Sequence, residues 1–140
     1  MRRTDQRRAA VFASYQRDVS GEAKPDGALT PFATELAEGV EEHQEELDAL
    51  ISDNAIGWNL DRIAPLERAI LRVALFEILH RPDVPNEVAI DEAVETAKVY
   101  CGADAPTFVN GILGGLMKGL SGGDRQSAVS QHSGSERNGL

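Results

Sequence analysis

The sequence predicts an all-α protein, a compact helical bundle, and three observations carry that expectation. Apolar residues recur at intervals of three and four through residues 4–120, the signature of helices with one buried face. No segment alternates convincingly with period two, as a half-buried strand would. The run Ala69-Ile70-Leu71-Arg72-Val73-Ala74-Leu75-Phe76 is apolar nearly all round, which suits a helix in the middle of a bundle. At 140 residues and 41% hydrophobic composition the chain is the size of one domain. That domain is expected over residues 1–120.

A first helix is expected from about Thr4 to Val19, with Val11, Phe12, Tyr15 and Val19 on one face. Gly21, Pro25 and Gly27 then mark a loop. Thr30-Pro31 opens the next helical stretch, a hydroxyl cap followed by proline where its missing N–H costs nothing. Phe32, Leu36 and Val40 line its inner face, and Leu47, Leu50 and Ile51 resume the stripe. The acids between them (Glu35, Glu38, Glu41, Glu42, Glu45, Glu46, Asp48) read as a solvated outer face.

After an irregular segment from Asn54 to Asp61, the central helix is expected over Ala64–Leu79, stopped by Arg81-Pro82. Arg72 and Glu77, charged positions on this apolar helix, need partners. Pro85 leads into a helix ending near Tyr100, with Gly102 as its stop. Asp104 is placed to cap the last helix, in which Phe108, Ile112, Leu116 and Leu120 repeat every four residues beside Val109, Leu113 and Met117. Gly111, Gly115 and Gly119 repeat at the same interval, each costing roughly 1 kcal/mol against alanine. Two accounts would offset that cost: close packing against a neighbouring helix backbone, or contact with a second copy in a homodimer. Residues 121–140 are Ser/Gly-rich with few apolar groups, and a disordered tail is expected there.

Most catalytic chemistries lack their residues. His43, His80 and His132 show no HxxxH spacing, and Cys101 has no second cysteine for a disulfide or a thiolate zinc site, so no metal or other cofactor is expected. Gly114-Gly115 lies inside an apolar helix without the Lys-Ser/Thr of a phosphate loop. Met1-Arg2-Arg3 is not followed by the apolar run of an export signal, and no stretch is long and apolar enough to span a membrane. A reducing cytoplasm is the expected setting.

Charge is unevenly spread. Residues 1–17 hold five arginines (Arg2, Arg3, Arg7, Arg8, Arg17) against Asp5, a balance of +4, so the rest of the chain carries −13 toward the net −9. Cations in the first turn of a helix oppose its positive end by roughly 0.3 to 1 kcal/mol each. Arg2, Arg3, Arg7 and Arg8 are therefore poorly placed for helix stability, and phosphate contacts would explain them. A helix end tethered to the acidic body is the alternative. A projection of 100° per residue puts Arg3 well outside the apolar face and Arg7 at its edge. Arg8 falls in line with Phe12 and Tyr15, placed to pair with an acid of the body.

Three blocks carry a family resemblance over roughly Thr4 to Leu120. The first is Arg62-Ile63 with Leu66-Glu67-Arg68-Ala69-Ile70-Leu71-Arg72-Val73-Ala74-Leu75-Phe76-Glu77. The second is Asp83-Val84-Pro85, then Val88-Ala89-Ile90-Asp91-Glu92-Ala93-Val94-Glu95 and Ala97-Lys98. The third is Phe108-Val109-Asn110-Gly111-Ile112-Leu113. In order and spacing they resemble the NusB family of transcription antitermination factors.

The resemblance implies two packed helical subdomains and no catalysis. It also implies an arginine-rich motif for boxA leader RNA of ribosomal RNA operons, a heterodimer with the ribosomal protein NusE, and work beside other Nus factors and RNA polymerase. By position, Arg2, Arg3, Arg7 and Arg8 match the RNA-binding motif, interrupted by Thr4, Asp5 and Gln6. Tyr15, Glu67 and Asp104 match partner-contacting positions, although Tyr15 also suits the core and Glu67 a helix start. Thr107 and Gly114 depart from the pattern, standing where a basic and an acidic residue often flank the third block. Asn110 is expected to hydrogen-bond backbone inside the bundle.

Overall fold

A computed structural model of the chain describes residues 2–21, 29–55, 57 and 59–120. The expected loop residues Pro25 and Gly27, the tail 121–140 and His132 lie outside the described residues. Six α-helices are described: α1 (Arg3–Ser20), α2 (Pro31–Glu42), α3 (Gln44–Asn54), α4 (Pro65–His80), α5 (Asn86–Tyr100) and α6 (Ala105–Gly119). A 3-10 turn at Leu60–Arg62 precedes α4, and the described residues include no strand. The expected all-α bundle is what forms.

Helix α4 is the axis of the molecule, packing against each of the other five helices. All ten residues from Ala69 to Ile78 are buried, including Arg72 and Glu77. Both charges have the partners their burial demands. Arg72 donates to the Asp48 carboxylate at 2.7 and 3.0 Å and lies 3.2 Å from Asp18, while Glu77 accepts from Arg7. Asp48 is thus no part of a solvated face, and Glu46 reaches His80. Glu38, Glu41, Glu42 and Glu45 do face solvent.

The helix ends follow local chemistry in part. The Thr30 hydroxyl accepts from the Ala33 N–H at 3.2 Å with Pro31 in the first turn, as the sequence predicts. Helix α1 ends at Gly21, which takes the left-handed conformation (φ 81°) and donates its N–H to Arg17 at 2.8 Å. Gly102 adopts no positive φ; α5 ends instead through the Cys101 N–H bonded to Ala97. Asp104 stands at the start of α6 but its side chain makes no cap bond. The single apolar stripe expected from Thr30 onward divides between α2 and α3 at His43.

Small residues permit the closest approaches. Gly39 of α2 is buried against the ring of Phe76, and a Cβ there would overlap that ring. On α1 the buried row is Arg7, Ala10, Val11, Ala13 and Ser14, while Phe12 and Val19 are exposed. The inner face therefore keeps Val11 but is otherwise turned from the expected one: Arg7 and Val11 lie against Ile70, Val73 and Ala74 of α4, and Ala13 and Ser14 lie beside Thr34 and Ala37 of α2. On α6, Val109, Ile112, Leu113, Leu116 and Leu120 are buried as expected, with Phe108 and Met117 only partly so. Among the described residues, close packing does not explain the α6 glycines. A Cβ at Gly111 or Gly119 would meet nothing within 4 Å, and at Gly115 only Asn54 Oδ1 at 3.5 Å. Asn110 is exposed on the same helix and not inside the bundle.

Candidate nucleic-acid interface

The N-terminal arginines of α1 divide into two sets. Arg2 and Arg3 are exposed at the first turn, where Asp5 supplies the one acid that suits a helix N-terminus. Arg2 reaches Asp5 at 3.3 and 3.4 Å, and that bond raises the guanidinium pKa. Arg3 lies over the ring of Phe32, 3.8 Å from guanidinium carbon to ring centroid. Arg8 projects toward α5, where Nε stands 3.4 Å from the Thr96 hydroxyl and the guanidinium lies 5.6 Å from the Tyr100 ring centroid. Arg2 and Arg3 thus lie at the N-terminal end of α1, Arg3 on the side of α2, and Arg8 lies in the next turn on the side of α5.

Arg7 is different. Its Nε donates to both Glu77 oxygens at 2.9 and 3.0 Å, in a pair whose side chains are only 9% and 1% exposed. Burial pushes the Glu77 carboxyl above its ordinary value, with the attraction of Arg7 and Arg81 opposing that rise. The projection places Arg8 as the structural arginine and Arg7 at the edge; the fold reverses them. Arg8 finds a hydroxyl and an aromatic ring, not an acid of the body.

Around these arginines lies an aromatic surface that the sequence does not single out. Phe12 meets Tyr100 edge to face at 5.0 Å, and both are exposed. Arg81, legible only as a helix stop, also lies over Phe32 at 5.1 Å and is held by Glu35 at 2.7 Å and Asp83 at 2.8 Å. The Arg81 guanidinium holds the Asp83 carboxyl down at about 2.

The three partner candidates lie on three different elements, and no contact joins them directly among the described residues. Glu67 lies in the first turn of α4, and burial raises its pKa. Its charge, after burial itself, helps to raise the thiol pKa of Cys101, the residue that leads into the loop bearing Asp104. Tyr15 is half-buried against the core, one turn before Asp18, whose carboxylate holds Arg68 at 3.1 Å beside Glu67. Asp104 is exposed.

The family model described as "NusB family" matches residues 3–118. The chain belongs to the NusB family. A transcription antitermination protein NusB from Symbiobacterium thermophilum is 41% identical over 142 residues, covering 87% of this chain and 93% of the relative. Among solved structures, a NusB from T. maritima superposes with a TM-score of 0.75 at 32% identity, covering 84% of this chain and 92% of the other. A second neighbour, in a structure of antitermination factors NusB and NusE in complex with double-stranded RNA, has a TM-score of 0.72. At 24% identity over 83% of this chain and 96% of the other, it shares the NusB fold. The match includes α1 from its first residue, so Arg3, Arg7 and Arg8 lie inside it and Arg2 just outside. Among the described residues no helix is long and apolar enough to cross a membrane.

Proposed function

We propose that this NusB-family chain is a non-catalytic cytoplasmic antitermination adaptor that binds boxA leader RNA of ribosomal RNA operons together with NusE. In that role it would join other Nus factors at RNA polymerase. The observation that carries the reading is that Arg2 and Arg3 are exposed at the N-terminus of α1, where cations oppose the helix dipole and gain from phosphate, with Arg8 in the next turn beside Tyr100. Arg7 contributes by fixing α1 against α4. Tyr100 and Phe12 beside Arg8 offer ring surfaces on which unpaired RNA bases can stack.

The acidic remainder of the chain, −13 outside residues 1–17, would attract a basic protein such as NusE and speed its association. Tyr15, Glu67 and Asp104 are the proposed contacts for that partner. The test is boxA RNA binding at two salt concentrations, with and without purified NusE. Replacing Arg2, Arg3 and Arg8 together by Ala should weaken RNA binding and flatten its salt dependence, by about 0.7 in slope for each phosphate no longer neutralised. Unchanged affinity and slope would overturn the RNA role of the arm and leave a protein-only adaptor.

A further inference from the structure

In sequence His43, Glu46 and His80 carry no ligand spacing; in the fold they meet. His43 is the residue at which α2 gives way to α3, Glu46 lies in the first turn of α3, and His80 ends α4. His80 Nε2 stands 3.1 Å from Glu46 Oε1, and His43 Nδ1 stands 3.6 Å from the same oxygen. One donor atom from each of the three lies within 4.8 Å of the others.

A hydrogen bond accounts for the first of these distances but not the second, which is too long for one. Both lie within about 0.3 Å of the spacing a tetrahedral zinc ion would impose, and the two histidine nitrogens, within 4.8 Å of one another, would draw together on binding. With bonds of about 2.0 to 2.1 Å, its ligand atoms sit roughly 3.3 to 3.4 Å apart.

The surroundings set how far the rings must move. The two imidazoles lie nearly parallel at 4.1 Å and both lie against Phe76, at 5.2 Å for His80 and 5.8 Å for His43; because the ligating lone pairs lie in the ring planes, one ring must turn for both nitrogens to face a single ion. Phe76 is itself seated against Gly39. The outer nitrogen of His43, Nε2, lies 4.0 Å from the Glu42 carboxylate, beyond hydrogen-bond reach. Closing that gap on metal binding would give the ring the acid that fixes orientation and raises ligand basicity in metal sites. The three side chains are each about one-third exposed (33%, 32% and 31%), open to an ion from solvent.

We propose that His43, Glu46 and His80 form a binding site for a divalent transition-metal ion of the zinc type, with water completing the coordination. The ion would tie the α2–α3 junction to the C-terminal end of α4. Metal-free full-length protein should be titrated with Zn²⁺ against a chromophoric chelator, with melting curves in parallel. One equivalent should bind and raise Tm. Replacing an outer-shell partner weakens metal binding by about 10- to 100-fold, so Glu42→Gln should lose about tenfold. Losing a ligand should cost more, so Glu46→Gln and His80→Gln should each lose at least roughly a hundredfold.

Cys101→Ser and His132→Gln are controls that should leave affinity unchanged, since either residue could capture zinc alone. Glu46→Gln keeps the shape of the side chain, and circular dichroism without metal checks that each variant is folded. Failure to bind one equivalent, or unchanged affinity in folded Glu46→Gln and His80→Gln, would overturn the site.

Discussion

On the inner face of α1, Arg7 is sealed against Glu77 at 2.9 Å; one residue further on, Arg8 reaches across to Thr96 and the Tyr100 ring on the outside. Helix α4 repeats the contrast in acids, with Glu77 buried and Glu67 in its half-exposed first turn. The same residue types thus do different work according to the face they occupy. A charge removed from water is held by its counter-charge and cannot be spared for a ligand without stranding that partner. A charge at the rim keeps most of its hydration and remains available to phosphate or to another protein. Of the arginines in the arm, Arg7 is the one already committed to a buried partner.

The contrast is broken most severely from the inside. Arg7→Met would leave the Glu77 carboxylate buried without its partner, and breaking such a pair costs about 3 to 5 kcal/mol. The pH dependence has a definite sign. Burial already raises the Glu77 pKa, and losing Arg7 raises it further. A group whose folded pKa is raised favours the fold below its unfolded value, and that contribution is lost as pH climbs through the folded one. The Arg7→Met deficit should therefore be greatest at neutral pH and shrink toward acid. Combining Arg7→Met with Glu77→Leu should recover most of the loss, because an apolar pair in a well-packed site is often as stable as the ions. Chemical denaturation at pH 7 and pH 5 decides this, and a single variant as stable as wild type would mean that the pair is not buried.

On the outer side, the corresponding acid is Glu67. Burial raises its pKa, so its ionised form is held at some cost in the isolated protein, a cost that a cationic partner would offset. Glu67→Lys should lower folding stability by only about 1 kcal/mol through the helix dipole. It should weaken NusE binding by about 2 to 5 kcal/mol, as reversal of an interface charge typically does. Titration of NusE into the variant separates the two effects. Affinity within about twofold of wild type, less than roughly 0.5 kcal/mol, would remove Glu67 from the interface.

The elements of the fold were legible because they depend on local signals. Thr30-Pro31 caps α2, and the apolar run after Pro65 could only be a central helix. The identity of the buried arginine was not legible, because large apolar residues occur on both sides of α1. Val11, Phe12, Tyr15 and Val19 suggest one inner face, whereas the buried row keeps Val11, adds the small residues Ala10, Ala13 and Ser14, and leaves Phe12 and Val19 outside; small size marks close packing and not hydrophobicity. Glu77, which selects Arg7, is 70 residues away. The same limit hid the histidine cluster, whose Glu46 and His80 are separated by 34 residues and meet only after α3 packs on α4. Pairing across the bundle leaves no periodic trace in either segment.

The smallest stability effect belongs to Arg8, and it tests the comparison most closely because Arg7 is its neighbour. Its Nε contact with Thr96 at 3.4 Å lies beyond the usual range of a good hydrogen bond. Its place over Tyr100, at 5.6 Å, is near the outer limit of cation–π attraction, worth about 0.5 to 1 kcal/mol at an exposed site. Arg8→Ala should therefore cost at most about 1 kcal/mol of stability, well below Arg7→Met. Its effect on RNA should be disproportionate: neutralising one phosphate fewer reduces the salt slope by about 0.7. Arg8→Lys separates charge from geometry, since lysine keeps the charge and loses the planar fork. It should retain the slope while giving up part of the affinity. Denaturation and RNA titration of the two variants supply both readouts. A stability loss in Arg8→Ala as large as that of Arg7→Met would erase the distinction between the faces. Unchanged RNA affinity and slope would instead leave Arg8 as a helix end resting on Tyr100, with the RNA contacts confined to Arg2 and Arg3.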